Sequence, residues 1–235
     1  MTKSYKHSIC FSGSGHHYPW QVGVALYLQE NYDLSECCFT GASAGSFVAS
    51  ILATDVSVKE YITKWVRDGY RIFNAHPFGF YFICHSVISL VGSKYMSPDD
   101  YKRANSRLYV SITKFKDYEL SNELVSEFES NTDMYGALCA SSQIPFLNCP
   151  NFFYTYRNNK CLDGGLTWNW VKLNENTLVI SPYKWNRIKG KIYALDALIA
   201  NTEEQFYALI LQGYIDAKQN DNDFVKCGLE KKSKL

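Results

Sequence analysis

The sequence predicts an α/β fold: one domain built on a parallel sheet with covering helices. Three observations carry this expectation. The first fifty residues alternate short apolar runs with stretches of helical spacing, in the order strand, helix, strand, helix. Hydrophobic residues make up 46% and aromatic residues 16% of the 235, enough for a packed core and too much for disorder. No repeat, linker or low-complexity segment divides the chain, so residues 1–235 read as a single domain.

SICFSG, residues 8–13, is a short apolar run ending in glycine, as a buried parallel strand does. Pro19 and the spacing of Val22 and Leu26 predict a helix from about Tyr18 to Glu30, with proline in its first turn. CCFTGA is a second strand, and AGSFVASILA the helix after it. Ser57 with Glu60 forms a capping-box pattern that opens a helix through about Arg71. The uncharged segment 77–93, PFGFYFICHSVISLVGS, reads as a buried helix, an acyl-chain pocket or a lid. Ser97-Pro98-Asp99 starts a short helix, and RLYVSITKF alternates as a strand does. SNELVSEFES and DMYGALCAS both read as helical. FFYTYRNNKCLDGG predicts a strand, an Asn-Asn turn and a return strand. TLVISPY is a further strand, and Thr202 to about Lys218 a closing amphipathic helix.

Charge and cysteine usage narrow the function. The 24 basic and 23 acidic side chains leave a net charge near +1 with no basic stripe, which argues against a nucleic-acid partner. The eight cysteines are scattered without a CxxC pair or a His/Cys cluster, so neither a disulfide framework nor a metal site is expected. MTKSYKHSIC lacks the apolar core of a secretory signal, and segment 77–93 is too interrupted to span a bilayer. A soluble protein of a reducing, intracellular compartment is expected, cytoplasmic or, where the terminal Ser-Lys-Leu acts as an address, peroxisomal.

Residues 39–46, FTGASAGS, frame Ser43 between Gly41 and Gly45, with a strand before and a helix after. This is the context of a nucleophile turn, though a serine that merely starts a helix reads the same way. An α/β-hydrolase triad places its acid and then its histidine after the serine. The five histidines are His7, His16, His17, His76 and His85, and that order leaves no well-placed pair. A carboxylate can take the serine proton instead if burial raises its pKa and it hydrogen-bonds the hydroxyl directly. The best candidate is Asp163 in CLDGG, where an apolar run ends on an acid and Gly164-Gly165 permit an abrupt turn; an ordinary turn aspartate is the alternative. Phe11-Ser12-Gly13-Ser14-Gly15 supplies a glycine-rich strand-to-helix turn whose backbone N–H groups suit a developing oxyanion. It fails a Walker loop because no Gly-Lys-Ser/Thr follows, and a dinucleotide fingerprint because Tyr18 stands where a third glycine belongs.

Together the glycine-rich loop, the GxSxG turn and the distal DGG resemble the patatin-like phospholipase family. ICFSGSGHHYPWQVGVALYL and FTGASAGSFVASILA look most like its adipose triglyceride lipase branch, and ASSQIPFL, FFYTYRNNKCLDGGLTWN and TLVISPY resemble that branch's later blocks, so the resemblance covers about residues 8–183. It implies a three-layer sandwich with a mainly parallel central sheet and helices on both faces. It also implies a Ser-Asp dyad of Ser43 as nucleophile and Asp163 as general base, with an oxyanion hole from Gly13, Ser14, Gly15 and His16. Gly41, Gly45, Gly164 and Gly165 support the two motifs. The implied reaction is hydrolysis of phospholipid or acylglycerol esters through an acyl-enzyme, without a cofactor, at a transiently bound membrane or lipid-droplet surface. Two departures stand out: Tyr18 replaces a further loop glycine, and His16-His17 stand where plant and bacterial members commonly place a lysine or arginine. A transacylase using the same site, or a catalytically weak lipid-binding member, is the alternative expectation.

Overall fold

The computed structural model describes residues 5–182 and 197–233. Tyr183, which ends the TLVISPY run, and the last two residues of the Ser-Lys-Leu terminus lie outside them. β1 (His7–Phe11), α1 (Tyr18–Asn31), β2 (Cys37–Ala42) and α2 (Ala44–Ala53) follow the expected order, and Pro19 sits in the first turn of α1. Every residue of β2 is buried. Successive strand side chains point to opposite faces, so both faces of the sheet are covered there.

The helix that Ser57 caps, by accepting the Glu60 N–H, runs further than expected. It comprises α3 (Val58–Glu60), a π-helical stretch Tyr61–Val66 and α4 (Arg67–Ala75). The uncharged segment resolves into turns followed by α5 (Cys84–Tyr95), and α6 (Asp100–Ala104) begins after Ser97-Pro98-Asp99. Among the described residues no helix is long and apolar enough to cross a membrane.

SNELVSEFES is not a helix. β3 (Leu108–Lys116) turns at Asp117 and Tyr118, both at positive φ, and returns as β4 (Glu119–Val125), antiparallel over its whole length. Seven ladder positions with β3 outweigh the helical propensity of Glu and Leu, a tertiary override that local sequence does not record. α7 (Asn131–Ser141) follows, capped by the Ser130 hydroxyl accepting from Asp133 N–H. The hairpin β5 (Tyr154–Tyr156) and β6 (Asn159–Leu162) turns on Arg157-Asn158, one residue earlier than the Asn-Asn reading, with φ of 45° and 62°. Paired positive φ is what a two-residue hairpin turn requires. α8 (Gly165–Trp168), β7 (Leu178–Ile180), α9 (Glu203–Gln219) and a short α10 (Asp221–Lys226) complete the order. A reciprocal capping box between Thr202 and Gln205 starts α9.

The sheet links β5-β6-β3-β2-β1-β7, with β4 on β3 outside that path. The central strands β3, β2, β1 and β7 are mutually parallel; β4, β6 and β5 form an antiparallel flank. β1 stands between β2 and β7, so the strand order reverses beside it. The crevice at the carboxyl ends of strands at such a reversal is the usual ligand position in open α/β sheets.

Candidate active site

The register explains how two residues far apart in sequence meet. β4 occupies one edge of β3 from Val110 to Lys116. A strand has two edges, so β2 and β6 share the other: β2 beside Leu108–Ser111, and β6 beside Thr113–Phe115. The two strands run toward each other and stop at Ala42 opposite Ser111 and Leu162 opposite Thr113. The next residue of each chain is Ser43 and Asp163.

Ser43 takes φ 52° and ψ −134°, strained for a residue with a Cβ. Its flanks tolerate no side chain. A Cβ on Gly41 would stand 2.6 Å from Ser46 Cα, and one on Gly45 would overlap the carbonyl oxygens of Phe11 and Ser12. The C-terminus of α7 ties both strand ends. Ser43 N–H donates to Ser141 Oγ at 2.9 Å, Gly164 N–H to Ser141 O at 2.8 Å, and Asp163 N–H to Gln143 O at 2.9 Å.

The Asp163 carboxyl is hydrogen-bonded by the Ser43 side chain and by Gly165 N–H, the latter at 2.8 Å to Oδ1. The residue is half-buried, yet its carboxyl is surrounded deeply enough by protein that burial raises its pKa from 3.8 to about 6. The two hydrogen bonds pull the other way, because they favour the charged form. Such a value suits a base at neutral pH.

The remaining histidines beyond Ser43 are occupied elsewhere: His85 Nε2 lies 3.2 Å from Ser142 Oγ, and His76 Nδ1 accepts from Phe78 N–H.

The glycine-rich loop leaves β1 beside the serine turn, Phe11 being paired with Gly41. Gly15 has φ +51°, and a Cβ there would overlap the Ala197 carbonyl. Ser14 Oγ donates to Gln21 Oε1 at 3.2 Å, and Gln21 Nε2 donates to Ser12 O at 2.9 Å. His16 is buried with its ring edge-to-face on Phe80 at 4.4 Å. Burial, with His17 beside it, lowers its pKa to about 4, so it is neutral where a lysine or arginine would be charged. Gly13 N–H donates to Asn169 Oδ1 at 2.6 Å. Sequence reasoning missed Asn169, Ser141 and Gln21 as supports. Each lies within a stretch quoted for the resemblance, but nothing local says what its side chain reaches.

Ser43 and His16 open onto an apolar cavity walled by Phe47, Tyr61, Trp65, Phe80, Val87 and Val91, among others. α5 and the π-helical stretch supply much of this wall, so segment 77–93 is cavity lining. π-helical turns inside helices are frequent at functional sites.

The sequence profile of the patatin-like phospholipase family matches residues 9–171. Similar curated proteins include omega-hydroxyceramide transacylase of Mus musculus, 30% identical over 175 residues, covering 68% of this chain and 27% of that protein. Human patatin-like phospholipase domain-containing protein 4 is 34% identical over 132 residues, 55% of this chain and 51% of its own. Human patatin-like phospholipase domain-containing protein 2 is 30% identical over 189 residues, 75% of this chain and 36% of its own. The chain thus spans about a quarter to a half of the length of these relatives. Among solved structures, VipD from Legionella pneumophila superposes with a TM-score of 0.50 at 14% identity, over 92% of this chain and 66% of that one, a likeness of fold. With the family profile covering most of the chain and both motif turns in place on the sheet, this chain belongs to the patatin-like phospholipase family.

Proposed function

We propose that the chain is a single lipid acyl hydrolase domain, with Ser43 the nucleophile and Asp163 its general base. The observation that supports this most is the placement of Ser43 beside a carboxyl whose pKa burial raises to about 6, where Ser43 opens onto an apolar cavity. Asp163 takes the Ser43 proton as Oγ bonds to the ester carbonyl carbon. Backbone N–H groups of the glycine-rich loop hold the oxyanion. Collapse breaks the ester C–O bond, and the departing alcohol takes the proton from Asp163. Water, deprotonated by the same carboxylate, then bonds to the acyl carbon; the C–Oγ bond breaks, Ser43 Oγ takes the proton back from Asp163, and the fatty acid leaves.

The cavity wall supports a long acyl chain as the part recognised. Its mouth supports approach to a lipid surface. Phe78, Phe82, Phe146, Leu198 and Ile199 are exposed and neighbour the cavity residues Phe80, Leu147 and Ala197. Phe82 N–H donates to Leu147 O at 2.7 Å, and Tyr81 Oη to Leu198 O at 3.3 Å, which joins these segments into one rim. Acyl transfer to an alcohol instead of water is the second reading, favoured by the relative named as a transacylase.

Fatty-acid release from phospholipid vesicles and acylglycerol emulsions, followed across pH, tests the proposal. The base must be ionised, so kcat is expected to fall as pH drops through about 6, with Ser43→Ala inert at every pH. Release unaffected by Ser43→Ala contradicts the proposal. Acyl product appearing on an added acylglycerol in place of free acid selects the transferase reading.

A further inference from the structure

We infer that Asn169 is a positioning residue for the oxyanion loop, and that its side-chain oxygen takes Gly13 N–H out of the set of oxyanion donors. This rests on the acyl-hydrolase reading and refines it. A backbone N–H that donates at 2.6 Å to a side-chain carbonyl is committed to that acceptor. The donors left to face a developing oxyanion are therefore the following amides of the loop, from Ser14 onward.

The geometry places Asn169 at the junction of all three motifs. A Cβ built on Gly13 would stand 2.6 Å from Asn169 Oδ1 and 3.2 Å from Ser43 Cβ. One built on Gly165 would stand 3.0 Å from Asp163 Oδ1 and 3.2 Å from Asn169 Oδ1. Glycine at both positions lets the amide approach the loop and the Asp163 turn together.

Asn169 is itself held. α8 precedes it, with Trp168 N–H donating to Gly164 O at 3.0 Å. Two residues later Val171 is buried, and its carbonyl accepts from Thr40 Oγ1 of β2 at 2.6 Å. The acceptor is thus anchored to the strand that carries the nucleophile. On its other side the loop is fixed by the Ser14–Gln21 and Gln21–Ser12 bonds. Removing the acceptor frees one end of a loop whose amides must be aimed before the oxyanion forms, and oxyanion stabilisation depends on that aim.

The test compares wild type, Asn169→Ala and Asn169→Asp in two measurements: ester turnover across pH, and hydrogen exchange of the Gly13 amide by NMR. Asn169→Ala is expected to lower kcat about 30- to 100-fold with KM within about twofold, since displacement of donors affects the transition state more than binding. Its Gly13 amide is expected to exchange at least about tenfold faster. Asn169→Asp keeps an acceptor of the same shape, so Gly13 protection returns and kcat recovers at least about fivefold over alanine. Its added carboxylate beside Asp163 moves the acid limb of the profile above pH 6.

A kcat for Asn169→Ala within threefold of wild type, or Gly13 exchange unchanged by it, overturns the inference. So does Asn169→Asp behaving as alanine in both measurements. A wild type that turns over no ester while its Gly13 amide responds to Asn169→Ala overturns the hydrolase reading, and the catalytic half of the inference with it.

Discussion

Asp163→Asn is expected to cut ester turnover by about 10⁴-fold while leaving the folded protein more stable at neutral pH. The loss of activity follows from the contact itself: an amide accepts a hydrogen bond from Ser43 but cannot take its proton. The gain in stability follows from the pKa. Burial raises the folded-state value of this carboxyl from 3.8 to about 6, so folding favours its protonated form. That contribution is present below about pH 4, is lost as pH rises through 6, and leaves a destabilising charge at pH 7. The difference corresponds to about 3 kcal/mol, of which about 1–3 is recovered when the charge is removed and Gly165 N–H keeps an acceptor. Thermal unfolding at pH 7.5 and pH 4 checks the sign, because the stabilisation should shrink at the lower pH. A destabilised, active Asp163→Asn would contradict both halves.

Gly164→Ala is expected to disable the site by another route. A Cβ there would overlap the Ser111 carbonyl oxygen in β3, which is main chain and has no rotamer to give. The β6 end must move away, at a cost of about 3 kcal/mol and roughly 6–12 °C in Tm. Ser111 is paired with Ala42, so the displacement opens the gap where Ser43 and Asp163 meet. A shift of about 1 Å costs on the order of 10² in kcat. Tm and kcat measured on the same preparation check this, and turnover within threefold of wild type would show that the β3 register does not position the site.

The parts of this fold legible in sequence are those written locally. β1, α1, β2 and α2 are marked by short apolar runs, Pro19 and the glycines of FSGSG and GASAG, and they form within a residue or two of expectation. The absence of a well-placed histidine directs the reading to a carboxylate and the CLDGG run to Asp163, which follows the β6 end that faces the end of β2 on β3. β4 was not legible, because the first half of SNELVSEFES becomes a strand through pairing with β3, after a turn at Asp117-Tyr118 that lacks the usual Asn-Gly signal. The meeting of β2 and β6 on one edge of β3 is likewise a matter of register between segments more than a hundred residues apart. Asn169 was invisible as a support for the same reason. Its position six residues after Asp163 is plain, but its acceptor role depends on a loop 156 residues away.

The proposed chemistry requires Ser43 to be a nucleophile activated by Asp163 without a histidine. Fluorophosphonate labelling with the modified peptide mapped by mass spectrometry tests it most directly, because it reads the serine itself and needs no knowledge of the lipid. Wild type should be labelled at Ser43, with a rate that falls as pH drops through about 6. Asp163→Asn should label at least about 10³-fold more slowly, and His85→Ala at the wild-type rate. Labelling at another residue, or equal labelling of Ser43 in wild type and Asp163→Asn, would contradict the account.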